Sequence, residues 1–235
     1  MSYNQYMDSQ LLQKVRHYQI PQAAIDLLKQ HPPLMIAGAS ASGKDAVVEY
    51  IEQTSDYRNM VTHTTRPPRQ GEINGQHYWF VSEAEMLKLV EDQAFIEIQT
   101  IHGETIYGTS LEAYKNVLDS GHKPLLVIDV QGIEEITRHL PASQPVFILP
   151  PSFEVWMERL EKRGHMSYVE RSKRLRSAKA ELEAALRSRL FMLVINHEIP
   201  LAARQILGGT SDPSTQAHNR ELGQSLLDQI AHHNY

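Results

Sequence analysis

No cysteine occurs among the 235 residues of this chain, which excludes disulfides, thiol nucleophiles and cysteine-ligated zinc. A cysteine-free chain also fits a reducing compartment. Long hydrophobic runs are missing as well, since LFMLVI, from Leu190 to Ile195, falls far short of the ~20 residues a membrane helix needs. The N-terminus is polar from Ser2 to Gln10 and does not read as a secretory signal. A cytoplasmic protein is the expectation. Nor is one sign of charge in large excess: the formal net charge of -5 gives no global pull toward nucleic acid or an anionic membrane. The histidines show no spacing of metal ligands. What remains is 41% hydrophobic, enough for one substantial core with a smaller appended subdomain.

The stretch that organises the chain is Gly38 to Asp45, GASASGKD, placed after the apolar run LMIA and before the helix-like AVVEYIEQ. Strand, glycine-rich turn and helix in this order make a phosphate-binding loop: the backbone of Gly38, Ala39, Ser40, Ala41, Ser42 and Gly43 curls round an anion at the positive end of a helix. Lys44 then reaches toward the β- and γ-phosphates of a nucleoside triphosphate. The plainer alternative is a glycine turn with no ligand. After the lysine such loops normally carry Ser or Thr to hold Mg²⁺, and here the residue is Asp45.

A second anion site is expected in VTHTTRPPRQGEINGQHYWFVS, Val61 to Ser82. Arg66 and Arg69 flank two prolines that stiffen the backbone, so both guanidiniums can converge on one anion with little entropy lost. A pair of solvated surface arginines is the bland alternative. Asn74-Gly75 signals a hairpin turn and QHYWFV a strand after it.

Continuous apolar runs at LMIA, LLVIDV and PVFILP suit strands covered on both faces, with helical stretches between them. Helices are also expected at DSQLLQKVRHY and PQAAIDLLKQ before the loop, and beyond it at FEVWMERLEKRG and the basic stretch that follows. FMLVINHE supplies a last strand, LAARQILGG a short helix, TSDPSTQAHN a linker and ELGQSLLDQIAHH a terminal helix.

GASASGKD, HTTRPPRQGEINGQHYWFVS, AFIEIQTIHGETIYGTS, VIDVQG, FILPPS and LEKRG, in this order, resemble the guanylate kinases. The resemblance spans about Leu34 to Ile206. It implies an α/β fold: a P-loop doubly wound parallel sheet with a small mixed-β GMP-binding lobe and a helical lid. The boundaries implied are a helical extension over 1–33, a kinase domain over 34–207 with its lobe at about 61–110 and lid at about 160–186, and a linker with a possible helix over 208–235. It further implies ATP-dependent phosphorylation of GMP with Mg²⁺, by a monomer or homodimer that needs neither nucleic acid nor membrane.

By the same resemblance the GMP site falls on Thr62, Arg66, Arg69, Tyr78, Glu97, Tyr107, Thr109 and Asp129. Arg66 and Arg69, with the hydroxyls of Tyr78 and Tyr107, would hold the GMP phosphate. Glu97 would accept hydrogen bonds from N1 and N2 of guanine. Asp45 and Asp129 would face Mg²⁺, Arg163 and Arg174 would close over the transferring phosphoryl group, and Asn196 would lie near the adenine of ATP. Val127 stands where relatives commonly carry an acid. Two other readings stay open: a kinase of this fold with another phosphorylated acceptor such as ribose 1,5-bisphosphate, whose kinases also carry Asp after the lysine, and a non-catalytic guanylate-kinase-like binding module.

Overall fold

The computed structural model describes residues 9–69, 71–101, 105–162, 168–209 and 212–232. The chain forms two compact units, one of Met1–Pro33, Arg58–Leu125 and Glu134–Pro141, the other of Leu34–Tyr57, Leu126–Ile133 and Ala142–Tyr235. The first is called the lobe below and the second the core.

In the core, β1 (Leu34–Gly38), β8 (Val146–Leu149) and β9 (Met192–Ile195) pair in parallel, with Ile36 opposite Val146 and Phe147 opposite Leu193. They belong to a five-stranded sheet ordered β2-β7-β1-β8-β9, in which β2 is Tyr57–Asn59 and β7 is Lys123–Val127. All four residues of β8 are buried, as a strand with both faces covered requires. Helix α3 (Lys44–Thr54) buries Val47, Val48 and Ile51, the stripe its spacing predicts. The core also holds α7 (Phe153–Lys162), α8 (Tyr168–Arg187), α9 (Ile199–Gly208) and α10 (Pro213–His232), while α6 (Val130–His139) is divided between the two units. The stretch expected to be a linker is therefore mostly helix. Asp212 opens α10 by accepting from the Thr215 amide and from the hydroxyls of Ser214 and Thr215, so these residues act as a start signal.

The lobe holds a second sheet ordered β4-β3-β6-β5, made of β3 (His63–Thr64), β4 (Trp79–Phe80), β5 (Phe95–Ile101) and β6 (Thr105–Ser110). The expected hairpin at Asn74-Gly75 is absent. β3 and β4 run parallel, which a two-residue turn cannot join. The signal marks a local turn instead: Gly75 has φ +79 and the Asn74 side chain accepts from the Phe80 amide at 2.8 Å. Around the sheet lie α1 (Ser9–Arg16), α2 (Gln22–Gln30), α4 (Glu83–Glu91) and α5 (Leu111–Asp119). Leu11, Val15 and Tyr18 from the start of the chain pack with Met86, Val90, Phe95, Ile98 and Ile106. The N-terminal segment is thus part of the lobe's own core.

Gly108 lies beneath this layer, where a Cβ would sit 2.8 Å from the Phe95 ring and 3.0 Å from Ile98. Gly108→Ala should lower stability by about 1–3 kcal/mol, the usual cost of overpacking. An unshifted urea midpoint would show that the Phe95 layer yields freely.

Candidate active site

The phosphate loop faces a conflict of dipoles. Its amides must point at an anion, so its carbonyls must be held elsewhere. In the core, side chains from other elements take them: Trp156 of α7 donates its indole N–H to the Ser40 carbonyl at 2.7 Å, and both Arg159 and Asn196 donate to the Ser42 carbonyl at 3.0 Å. The loop is closed by Ser42 N–H to the Ala39 carbonyl at 3.0 Å. Gly43, at φ +90, caps α3, and a Cβ there would lie 2.1 Å from the Asn196 amide. Ala41 also takes a positive φ, of 65°, strain that the clamped loop must outweigh.

The loop clamp was legible only in part. Asn196, expected near adenine, is 2% exposed and spends its amide on the loop. Among Arg159, Arg171, Lys173 and Arg176, which read from sequence as mostly surface, Arg159 is the expected exception, while Trp156 is given no role. Only the i, i+3 spacing of Trp156 and Arg159 on α7 hints that they serve one neighbour.

Lys44 and Asp45 form an ion pair at 2.8 Å, with side-chain exposures of 22% and 63%. Asp129, just past the end of β7, accepts from the Gly132 amide at 2.8 Å. Glu181 of α8, which sequence reasoning passed over, joins these charges. Burial pushes its carboxyl up to about 7; the Asp129 charge adds to the rise and Lys44 opposes it. Arg174, on the same helix, is half-buried. Arg163 lies outside the described residues.

In the lobe, Arg66 is the centre of a packed set of polar and aromatic side chains. Its Nε donates to the Tyr107 hydroxyl at 3.1 Å, and its two terminal nitrogens fork onto Glu72 at 2.8 and 2.9 Å. The guanidinium lies over the rings of Tyr78 and Phe80, 5.3 and 5.5 Å from their centroids. Burial works against its charge, but hydrogen bonds to Glu72 and Tyr107 outweigh that and raise its pKa. Arg66 in turn holds Glu72 below the usual carboxylate range. Glu72 also accepts from the Arg69 amide at 2.7 Å, so one carboxylate ties both arginine positions together. The Arg69 side chain is exposed. Glu72 sits within TTRPPRQGE, where its six-residue spacing from Arg66 was the available signal.

Glu97 is 2% exposed, and its Oε1 accepts from both the amide and the hydroxyl of Thr109, at 2.9 and 2.7 Å. The Thr109 hydroxyl lies 3.4 Å from that of Thr62. A buried carboxylate needs such donors to keep a fixed orientation. The structure therefore joins Thr62, Glu97 and Thr109 in one polar group, and Arg66, Tyr78 and Tyr107 in another, both within the lobe.

A parallel α/β core with a glycine-rich loop between β1 and α3 defines the P-loop class of phosphate-binding proteins. Within that class the guanylate kinase family model matches residues 30–200, and the chain belongs to this family. It is 39% identical over 175 residues to the guanylate kinase of Neisseria gonorrhoeae, covering 74% of this chain and 83% of that one. It is 35% identical to the guanylate kinase of Caldanaerobacter subterraneus, covering 77% and 87%. The crystal structure of guanylate kinase from Anaplasma phagocytophilum aligns with a TM-score of 0.58 at 25% identity, over 85% of this chain and 97% of that one.

Glu181 gives a pH test. Folded, it keeps its proton to about 7, whereas a solvated glutamate loses it near 4.5. Between those values the folded state binds more protons, so stability falls as pH rises through the window and stays lowered above it. Glu181→Gln, which cannot ionise, should unfold later than wild type above about pH 7, by on the order of 2 kcal/mol. The two proteins should converge below the window in nucleotide-free melting curves.

Proposed function

We infer that the protein transfers the γ-phosphoryl group of ATP to the phosphate of GMP, giving ADP and GDP. The observation that carries this is the buried Glu97 carboxylate held by Thr109 in the same lobe as the Arg66–Tyr107–Tyr78 set. A fixed carboxylate can accept from N1 and N2 of guanine, where adenine offers no such pair of hydrogens. The arginine and tyrosine set suits a phosphate in a way a neutral sugar or base would not exploit.

The acceptor oxygen of GMP is already anionic, so no general base is required. Rate enhancement comes from positioning and charge. The amides of the glycine-rich loop, apart from that of Ser42, and Lys44 bind the triphosphate, and Arg66 and Arg69 orient the acceptor. Arg163 and Arg174 neutralise charge as the phosphoryl group moves. Asn196 acts in ATP binding through the loop it braces.

Among the described residues no cluster of three or more candidate ligands could hold a metal alone. Mg²⁺ held by one or two carboxylates together with substrate phosphates needs none. Exposed Asp45 beside Lys44, with Asp129, provides oxygen donors of the right kind. Bound there, Mg²⁺ would neutralise charge between the β- and γ-phosphates. Among the described residues no helix is long and apolar enough to cross a membrane, and we place the enzyme in the cytoplasm, as a monomer or homodimer. A sugar bisphosphate acceptor offers hydroxyls but not the adjacent pair of N–H donors that guanine presents to Glu97, which disfavours that alternative. A pure binding module would have no use for the clamped phosphate loop.

An ADP-release assay with ATP and Mg²⁺ against GMP, dGMP, AMP, UMP, CMP and ribose 1,5-bisphosphate should show turnover of the guanine nucleotides. Turnover of the sugar bisphosphate alone would overturn the assignment. Glu97→Gln should lower kcat/KM for GMP by about 100-fold, the scale of a lost charged hydrogen-bond pair, with KM for ATP nearly unchanged. Asp45→Asn should raise the Mg²⁺ concentration for half-maximal rate by about tenfold, as loss of a charged ligand does; an unchanged requirement would place its carboxylate off the metal.

A further inference from the structure

Strand β5 carries Glu97, and its pairing begins with a misfit. Phe95 stands opposite Ser110 and Glu97 opposite Thr109, so two steps along β5 answer one along β6. The strand bulges there. The consequence is a change of face. Phe95 and Ile98 both lie in the apolar layer with Leu11 and Val15, although residues three apart in a regular strand point to opposite faces. Strict alternation from Phe95 would turn Glu97 into that same apolar layer. The bulge instead turns it to the side where Thr109 meets its carboxylate.

β5 is also the last strand of its sheet, so its outward backbone groups have no neighbouring strand. At Phe95, which is fully buried, one group meets both of them. The Tyr18 hydroxyl accepts from the Phe95 N–H at 2.9 Å and donates to the Phe95 carbonyl at 2.9 Å. Its ring stands edge-on to Phe95, centroids 6.3 Å apart. Burial pushes the phenol's pKa up, with the bond to Phe95 opposing, so the donated proton is present throughout the neutral range. Tyr18 precedes the stretch the family model matches, which begins at residue 30. Its segment is fastened on either side: Lys14 pairs with Glu91 at 3.3 Å, and the Tyr114 hydroxyl donates to the His31 carbonyl.

We propose that Tyr18 is a positioning residue for guanine recognition: by pinning the main chain at the bulge it fixes the face and aim of Glu97, and so makes the N-terminal extension a determinant of acceptor specificity. The proposal rests on the reading of Glu97 as the guanine-binding carboxylate. Without the hydroxyl, Phe95 would keep a buried N–H and C=O with no partner. Relief comes by shifting the bulge toward another register or toward water, and either movement takes Glu97 from Thr109. Tyr18→Phe removes the hydroxyl and leaves the ring.

The test compares wild type, Tyr18→Phe, Glu97→Gln and the double variant on GMP and on inosine monophosphate, which lacks the 2-amino group. Tyr18→Phe should raise KM for GMP about tenfold with a smaller change in kcat, leave KM for ATP alone, and cut the preference for GMP over inosine monophosphate by a similar factor. That loss of preference should vanish in the Glu97→Gln background, because the hydroxyl acts through Glu97. Val15→Ala loosens the same packing without touching the hydroxyl and should cost stability while keeping the preference. A ratio of two kcat/KM values is independent of the fraction folded, so a less stable variant still gives an answer. A wild-type preference in Tyr18→Phe, or an equal loss with and without Glu97, overturns the proposal. Wild type that never turns over GMP overturns the guanine reading and the proposal with it, a result distinct from either of these.

Discussion

A buried main-chain group must find a partner, and in this chain the places where regular pairing stops are the places where the site is built. The phosphate loop is the clearest case. An anion needs amides of the glycine-rich loop, which leaves carbonyls facing the protein, and Trp156, Arg159 and Asn196 donate to those of Ser40 and Ser42. Each donor comes from an element after the loop in sequence. The anion site is thus completed only when α7 and the end of β9 have come against the loop, so the binding geometry is coupled to the fold of the core.

Electrostatics within the core follow from the same closeness. Lys44 is held by Asp45, while burial, with the Asp129 charge adding to it, keeps Glu181 protonated well above the ordinary carboxylate range. A triphosphate would bring more negative charge to this neighbourhood. A protonated Glu181 lets the core carry a carboxyl there without adding to it. In the lobe the balance is reversed: Arg66 is cradled by Glu72, Tyr107 and two aromatic rings, which keeps a cation ordered where its side-chain entropy would otherwise oppose binding.

Sequence reading reached the α/β class and the phosphate loop because each is written in short-range terms, whereas the members of the lobe's two polar groups, which join residues 47 and 41 positions apart, were named through the family resemblance. GASASGKD is contiguous, and TTRPPRQGE places arginines by proline geometry. The apolar runs of β1 and β8 announce burial on both faces. What sequence reading missed is long-range. Trp156 lies 116 residues from the Ser40 carbonyl it caps, and Tyr18 lies 77 from Phe95. No periodicity can disclose such pairs. The Asn74-Gly75 turn was legible as a turn but not as a loop leading into a parallel strand, since a turn signal carries no information about strand direction. The start of α10 was hidden for the opposite reason: Ser, Asp and Pro mark linkers and helix starts alike.

The two terminal segments show why a chain of this family benefits from residues outside the shared stretch. β5 and β9 each end a sheet. At β5 the open edge is met by the Tyr18 hydroxyl. At β9 the carboxamide of Gln216 takes both backbone groups of Leu193, accepting from its N–H at 2.9 Å and donating to its carbonyl at 3.0 Å, with Asn219 adding a second donor at 2.7 Å. In each case one polar side chain stands in for a missing strand, which also blunts an edge that invites pairing with other chains. Glu97 lies two residues beyond Phe95, and Asn196, which holds the phosphate loop, three beyond Leu193. Each extension therefore fastens its own unit's sheet edge just before a residue to which we assign a part in substrate binding.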